Sequence, residues 1–357
     1  MSNWRVATAD ASVVGGTGSG VSTPAHATPT TLGRAVVTPD RLTESLSRHT
    51  RYAMATSSVP ELDEELRRRL GRRFGSAIDA WFAALPAVLD DLAKRWDIEW
   101  DALIQRGSMS VVIRCRAGDG RRAVLKATPE RERVAHEAAA LASWKTSHVP
   151  AVLAVDESVG ALLIEAVEPG TPLVESTAYP SFGSLAALLT SLHENGVPNP
   201  LYRPVSDHIA YLFDAGLKNY ERRPDLAELI PPELYARGRE LAMRLAADVG
   251  PTVLLHGDLT PVNVLDGGAE RGLVAIDPAP CLGDPVFDAI DLVFWRADDL
   301  ETIATRAEQL APAMGSDASR LLGWCAAFAA MVALEIAEAS DGVPAQVESL
   351  VALACRA

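Results

Sequence analysis

Apolar residues recur every four positions at Leu62, Leu66, Leu70 and Phe74, and a second series follows at Trp81, Leu85, Leu89 and Leu92. Each series lines one stripe of a helix and leaves a charged, arginine-rich face outside, so the pattern predicts two consecutive amphipathic helices. The period then shortens to two. Residues 111–116 and 123–127 alternate about a glycine-containing turn at 118–120, which predicts a β-hairpin. Pro129 suits the first turn of a helix that continues through "ERERVAHEAAALASW", and short apolar runs at 151–155 and 161–167 read as strands. The sum is an antiparallel sheet with one inserted helix.

Beyond Pro169 the helical period dominates, as in Leu185, Leu188, Leu189 and Leu192, except around residues 252–277. The chain therefore reads as α+β, with two lobes joined near 165–170. Residues 1–53 are rich in Gly, Ser, Thr, Pro and Ala without apolar periodicity and read as a flexible tail. Gly15, Gly16, Gly18 and Gly20 in this tail imitate a phosphate loop, but no Lys-Ser/Thr pair follows and no helix pattern begins. The expected division is a tail over 1–53, an N-terminal lobe over 54–168 and a C-terminal lobe over 169–357.

Charge narrows the range of partners. From Pro251 onward there are 16 Asp/Glu against 5 Lys/Arg, whereas residues 1–53 hold 5 Arg against 3 acids. Phosphate backbones demand a basic surface, so nucleic acid is disfavoured and not expected as a partner. The acidic end suits a cationic ligand, although solvated surface charge alone would produce the same balance. The longest apolar run, residues 321–334, is fourteen residues and suits a buried helix better than a membrane span. No basic segment followed by an apolar stretch opens the chain, which leads to the expectation of a cytoplasmic protein. Cys115, Cys281, Cys325 and Cys355 are widely spaced, with no CxxC pair, and read as free thiols.

The segment "LLHGDLTPVNVL", residues 254–265, interrupts an apolar strand with His256, Gly257 and Asp258 and returns to an amide at Asn263. Residues 262–266 and 273–277 are two short strands with "GGAERG" between them. In the hairpin they would form, facing residue numbers sum to about 539–540, which sets Asn263 against Ile276 or Asp277. Two carboxylates, Asp258 and Asp277, and one amide oxygen then meet at the open end of the hairpin. Such hard oxygen ligands suit Mg²⁺ bound together with phosphate and water; turn-capping by the same side chains is the competing explanation. Lys126 lies in the apolar strand "AVLKAT". In the next helix Glu137 shares a face with Val134 and Leu141, pointing at the sheet, so pairing with Lys126 would satisfy both charges.

At these residues the chain resembles the kinase-like small-molecule phosphotransferases, including the aminoglycoside phosphotransferases. "HGDLTPVNVL" is similar to their catalytic loop, "AIDPAP" to their metal-binding segment, "AVLKAT" with "HEAAAL" to their Lys–Glu pair, and "GDPVFDAID" to the helix start that closes the core. "LLIEAVEPGTPL", "AIDPAPCLGDPVFDAID" and "RLLGWCAAFA" look most like the streptomycin 6-kinases, the aminoglycoside/hydroxyurea resistance kinases. The resemblance spans about residues 60–340. It implies a bilobal protein-kinase-like fold whose first lobe binds nucleotide and whose second lobe carries catalysis and the acceptor. The implied reaction is ATP- and Mg²⁺-dependent transfer of the γ-phosphate to a hydroxyl of a cationic small molecule, most like an aminoglycoside. An amino sugar or other metabolite alcohol as acceptor, or a nucleotide-binding pseudokinase, are the alternatives.

By the same resemblance Asp258 is the catalytic residue and Asn263 and Asp277 are the metal ligands. Lys126, Glu137 and Ser108 serve the phosphates, and backbone groups of Glu165 and Val167 meet adenine. Asp291, Asp298, Asp299 and Glu301 are candidate contacts for a cationic acceptor. His256, Asp284 and Asp288 support the structure, and His193 reads as structural too. Two features depart from the family. The glycine-rich loop is reduced to "RGSMSVV" with Gly107 alone, and Pro278 follows Asp277, restricting that segment.

Overall fold

The structure is a computed structural model, and it describes residues 59–105, 109–248, 250–340 and 342–356. The expected tail, Gly107 and Ser108 lie outside the described residues. Two helices come first, α1 (Glu64–Phe74) and α2 (Ile78–Trp96). The Asp63 carboxylate accepts the Leu66 N–H at 2.7 Å and caps α1, whose acidic first turn and basic last turn complement the helix dipole. A five-stranded antiparallel sheet follows, made of β1 (Ile98–Ile104), β2 (Val111–Ala117), β3 (Arg122–Ala127), β4 (Val152–Asp156) and β5 (Ala161–Glu165) in the spatial order β1-β2-β3-β5-β4. Helix α3 (Arg131–Ser143) is inserted between β3 and β4.

Two details differ from the sequence expectation. Strand β1 was not anticipated, because its register slips between Trp100 and Ala102 and the bulge breaks the period-two alternation. Helix α3 starts at Arg131, after Pro129, since the Thr128 hydroxyl accepts the Glu130 N–H at 3.3 Å and holds residues 128–130 as a turn.

The two faces of the sheet have different partners. Ala123, Leu125 and Ala127 of β3 pack with Ile113, Leu163 and the leucines of α1 and α2. Leu66, Leu70, Leu85, Leu89 and Leu92 are fully buried there, each contributing about 1.5–3 kcal/mol by leaving water. Because side chains alternate, Val124 and Lys126 point the other way, and Lys126 stands opposite Leu162 of β5 on the face covered by α3. Strand parity thus delivers a lysine to the inner face.

The second lobe is mainly helical, with α4 (Phe182–Asn195), α5 (Val205–Gly216), α6 (Lys218–Arg222), α7 (Leu226–Leu229) and α8 (Pro232–Ala247) ahead of a pair of two-stranded ribbons. Strand β6 (Val253–Leu255) pairs with β9 (Cys281–Gly283), and β7 (Val264–Asp266) pairs with β8 (Leu273–Ala275) across a helical turn, α9 (Gly268–Arg271). The second ribbon aligns Val264 with Ala275 and Asp266 with Leu273, the register expected from sequence. Helices α10 (Ile290–Phe294), α11 (Leu300–Leu310), α12 (Ala318–Ala339) and α13 (Ala345–Ala354) complete an α+β bilobal fold. Helix α12 passes the length and hydropathy test for a membrane span, but 78% of its most apolar window is buried inside the protein, around Trp324 and Phe328.

Hydrogen bonds tie the end of α3 to the second lobe. The Trp144 indole donates to Leu192 O at 3.1 Å, the Ala275 N–H to His148 O at 2.8 Å, and Arg271 reaches Ser147 O and Val149 O at 2.5 and 2.9 Å. The same guanidinium grips both oxygens of Glu165, at 2.8 and 3.1 Å, where β5 ends. A helix anchored this way holds Glu137 in a fixed relation to the hairpin that ends at Asp277.

The loop between β6 and β7 is clamped from three elements. The Asp288 carboxylate accepts the N–H groups of His256 and Gly257, both at 2.9 Å, and a hydrogen bond from His193 Nε2 at 3.0 Å. Gly257 has φ +77°, and a Cβ there would fall 2.1 Å from Ala279 O, so no other residue fits without movement. From α5, His208 Nε2–H donates to Gly257 O at 2.7 Å while its Nδ1 accepts from Arg203 at 2.5 Å. Both main-chain groups of Gly257 are therefore spoken for.

Burial, then the neighbouring Arg203, pushes the His208 pKa down to about 4 against the opposing pull of the Gly257 carbonyl and, after it, Asp288; the Phe287 ring packs at its edge. An unfolded histidine titrates near 6.5, so the unfolded chain takes up the proton first as pH falls. His208 thus supports the fold fully above about pH 6.5, and up to about 3 kcal/mol of that support disappears on the way down to pH 4. Urea melts of the wild type and His208→Gln should show a stability gap that narrows by that order between pH 7 and pH 4. A gap independent of pH would contradict a neutral, buried His208.

Candidate active site

Lys126 is delivered by β3 to the cleft side of the sheet, and its ammonium sits between two carboxylates from different lobes. Nζ is 2.5 Å from Glu137 Oε1 on α3 and 2.9 Å from Asp277 Oδ1 beyond β8. The Lys126 and Glu137 side chains are 11% and 4% exposed, so each charge depends on the other. Burial alone would lower the lysine pKa, but Asp277 and Glu137 outweigh it and hold the group above the ordinary range. Lys126 is a fixed cation.

Asp277 occupies φ +60°, a left-handed conformation that asparagine and aspartate tolerate better than most residues. Burial would raise its pKa; the Lys126 and Arg133 cations reverse that and keep the carboxylate well below the usual range. Arg133, one helical turn before Glu137, places Nη2 3.4 Å from the same Asp277 Oδ1. Sequence inspection missed it, although the i, i+4 spacing to Glu137 was available as a signal.

Asn263 follows the clamped loop, and its main-chain O accepts the Ile276 N–H at 2.9 Å, extending the β7–β8 ladder by one pair. Its amide nitrogen donates to Asp258 O at 2.9 Å and to Asp258 Oδ2 at 3.1 Å. Both partners are pure acceptors, which fixes the amide with NH₂ towards Asp258 and leaves Oδ1 without a described donor. Burial, with repulsion from Asp277, pushes the Asp258 pKa up to about 6, a value suited to a group that exchanges a proton near neutrality. His256 braces the loop: its Nε2–H donates to Ile276 O at 3.0 Å and its Nδ1 faces the Asp258 N–H at 3.4 Å.

Two contact groups result, Asp258 with Asn263 and Lys126 with Glu137 and Asp277, joined through the Ile276 N–H on Asn263 O one residue before Asp277. Asn263 Oδ1 and Asp277 Oδ2 have no described protein partner, and as hard oxygens each could ligate a divalent cation. Among the described residues no group of three or more His, Cys, Asp or Glu is placed to hold a metal ion. At the end of β5 the Glu165 N–H is taken by Ala151 O, whereas the Val167 N–H donates to no described residue.

The remaining predicted residues divide. Asp284 caps the turn that leads to Asp288, accepting the Val286 N–H at 3.0 Å, and also receives Arg320 and the Trp324 indole. Asp299 spends both oxygens on Thr302, at 2.6 and 2.9 Å, as the N-cap of α11, and this capping role is the one its contacts show. Asp291 is half-buried in the first turn of α10, and Asp298 and Glu301 are exposed. The hollows lined by Ala187, Thr190 and Gln309 and by Tyr202, Asp284 and Arg320 include neither Lys126 nor Asp258.

The model of the aminoglycoside/hydroxyurea antibiotic resistance kinase family matches residues 95–340. The streptomycin 6-kinase of Streptomyces glaucescens is 32% identical over 281 residues, covering 76% of this chain and 89% of that protein. The hydroxyurea phosphotransferase of Kitasatospora aureofaciens is 30% identical over 272 residues, 75% and 77% of the two chains. Among solved structures, choline kinase LicA from Streptococcus pneumoniae superposes with a TM-score of 0.53 at 14% identity over 76% of this chain and 98% of that one. A thermostable mutant of aminoglycoside phosphotransferase APH(4)-Ia, in a ternary complex with AMP-PNP and hygromycin B, gives 0.50 at 17% over 75% and 98%. These two likenesses bear on the fold, which is that of the bilobal kinases. The match over most of the chain, together with the Lys126–Glu137–Asp277 cluster, makes this protein a member of the aminoglycoside/hydroxyurea antibiotic resistance kinase family, the small-molecule phosphotransferases.

Proposed function

We propose that the chain transfers the γ-phosphate of ATP to a hydroxyl of a cationic small molecule, an aminoglycoside of the streptomycin kind, with Mg²⁺. The observation that carries this reading is the ammonium of Lys126, fixed between Glu137 and Asp277 beside the Asp258–Asn263 pair. Asn263 Oδ1 and Asp277 would hold the cation, which when bound neutralises the phosphate oxygens. Lys126 directs its charge at the phosphates, and the Val167 N–H, with the Glu165 carbonyl, suits the edge of adenine. Ser108, beside the lone glycine of its loop, is kept as a phosphate-side residue of this proposal.

Asp258 takes the acceptor proton. The hydroxyl oxygen attacks the γ-phosphorus, a new O–P bond forms, the bond from that phosphorus to the β–γ bridging oxygen breaks, and ADP leaves with the electron pair. The Asn263 amide holds Asp258 Oδ2 at 3.1 Å, leaving Oδ1 to face the hydroxyl, and the clamped loop keeps that carboxylate aimed without cost at the moment of reaction. Little covalent chemistry is asked of the protein; position and charge supply the rate.

The acceptor class rests on the acidic C-terminal third, with exposed Asp298 and Glu301 and half-buried Asp291 as candidate contacts for guanidinium or ammonium groups. The similarity to a hydroxyurea phosphotransferase supports a second reading, a small uncharged hydroxyl acceptor, which would make no use of that acidity.

A coupled ADP-release assay over streptomycin, other aminoglycosides, amino sugars and hydroxyurea, with product mass, separates these readings. Streptomycin should give a product heavier by one phosphoryl group, and turnover confined to hydroxyurea would replace the cationic acceptor with the uncharged one. Asp258→Asn should retain nucleotide binding by calorimetry while phosphoryl transfer drops by about 10²–10⁴-fold, the scale of a lost general base. Unchanged turnover in that variant would remove Asp258 from the chemistry.

A further inference from the structure

The guanidinium of Arg133 has more capacity than its one contact uses. It sits on α3 one turn before Glu137, a third exposed, with Nη2 3.4 Å from Asp277 Oδ1. Lys126 Nζ already occupies that oxygen at 2.9 Å. Among the described residues Asp277 is the only hydrogen-bond acceptor of the Arg133 side chain, which leaves four of five N–H donors of a planar fork unspent in a cleft. Burial would depress this cation, and Asp277 followed by Glu137 restores it.

The charges around it are Asp277, Glu137 and Glu130, and Lys126 shares the first two of these. Once Asp277 turns an oxygen to a divalent cation, the second cation on its other oxygen has lost most of its reason to stay. The sequence also gives little main-chain phosphate cover, since "RGSMSVV" holds a single glycine at Gly107. An arginine fork matches phosphate oxygens in pairs, where a lysine offers a point charge.

We propose that Arg133 is a phosphate-binding residue of the nucleoside triphosphate site, moving its fork from Asp277 to the β- or γ-phosphate. The proposal rests on the nucleotide reading above and assigns it a contact that the Lys–Glu pair does not supply. Arg133 then compensates for the thin glycine loop, and it discriminates nucleotides by their outer phosphates while ignoring the adenosine end.

Isothermal titration of the full chain with AMP-PNP, ADP and AMP, each with Mg²⁺ and with EDTA, tests this in wild type, Arg133→Ala and Arg133→Lys. Arg133→Ala should weaken AMP-PNP about tenfold to a hundredfold, the size of a lost charge-assisted contact, with or without Mg²⁺. AMP affinity should stay unchanged, and Arg133→Lys should recover part of the loss. If the weakening occurs only with Mg²⁺ present, Arg133 merely orients Asp277 and the proposal fails. Equal AMP-PNP affinity in all three proteins also overturns it, whereas a wild type that binds none of the nucleotides brings down the underlying nucleotide reading instead. Thermal melts of the variants establish that each is folded; should Arg133→Ala not fold, Arg133→Gln takes its place with the same expected loss.

Discussion

A buried ammonium must be answered by negative charge, and in this chain the answer comes from both lobes at once. Lys126 leaves the sheet on the α3 face because strand parity sends it there, and it meets Glu137 at 2.5 Å and Asp277 at 2.9 Å. Neither carboxylate belongs to the same local element as the lysine. The sheet, the inserted helix and the β7–β8 hairpin must all be in place before the charges are satisfied, and a missing partner would strand a charge out of water. The pair therefore commits the geometry of the cleft.

The scaffold is arranged so that this geometry holds. The Trp144, His148 and Arg271 contacts bind the end of α3 to the second lobe, and Arg271 also grips Glu165 where the sheet gives way to the linker. Asp288 and His208 fix Gly257 through buried side-chain hydrogen bonds to both its main-chain groups, which holds the loop carrying Asp258. Buried networks of this kind rigidify when fully satisfied. The clamp keeps two buried groups without a described partner, His193 Nδ1 and Thr260 Oγ1, and at the site Asn263 Oδ1, Asp277 Oδ2 and most of the Arg133 fork are also unengaged by described residues.

Much of this was legible in the sequence because the signals are periodic or local. The β7–β8 register followed from residue numbers, and the face of α3 that carries Glu137 followed from its spacing to Val134 and Leu141. Other parts depend on contacts that no period encodes. Strand β1 was hidden by its bulge, and His208 reads as one residue of an ordinary amphipathic helix until α5 is seen against Gly257. Asp299 was read for its charge alone, and its cap of α11 through Thr302, three residues later, was not anticipated. Arg133 lay in plain view as part of an arginine-rich helix start, and only its approach to Asp277 separates it from a solvated charge.

The central claim is that the cleft grips a metal-bound triphosphate through this shared ion cluster, and a crystal structure with Mg²⁺ and a non-hydrolysable ATP analogue tests it most directly. The account predicts a cation held by Asn263 Oδ1 and Asp277 at about 2.0–2.1 Å, with Lys126 reaching a phosphate oxygen while keeping Glu137. A triphosphate bound away from Lys126, or a metal that touches neither Asn263 nor Asp277, would contradict it.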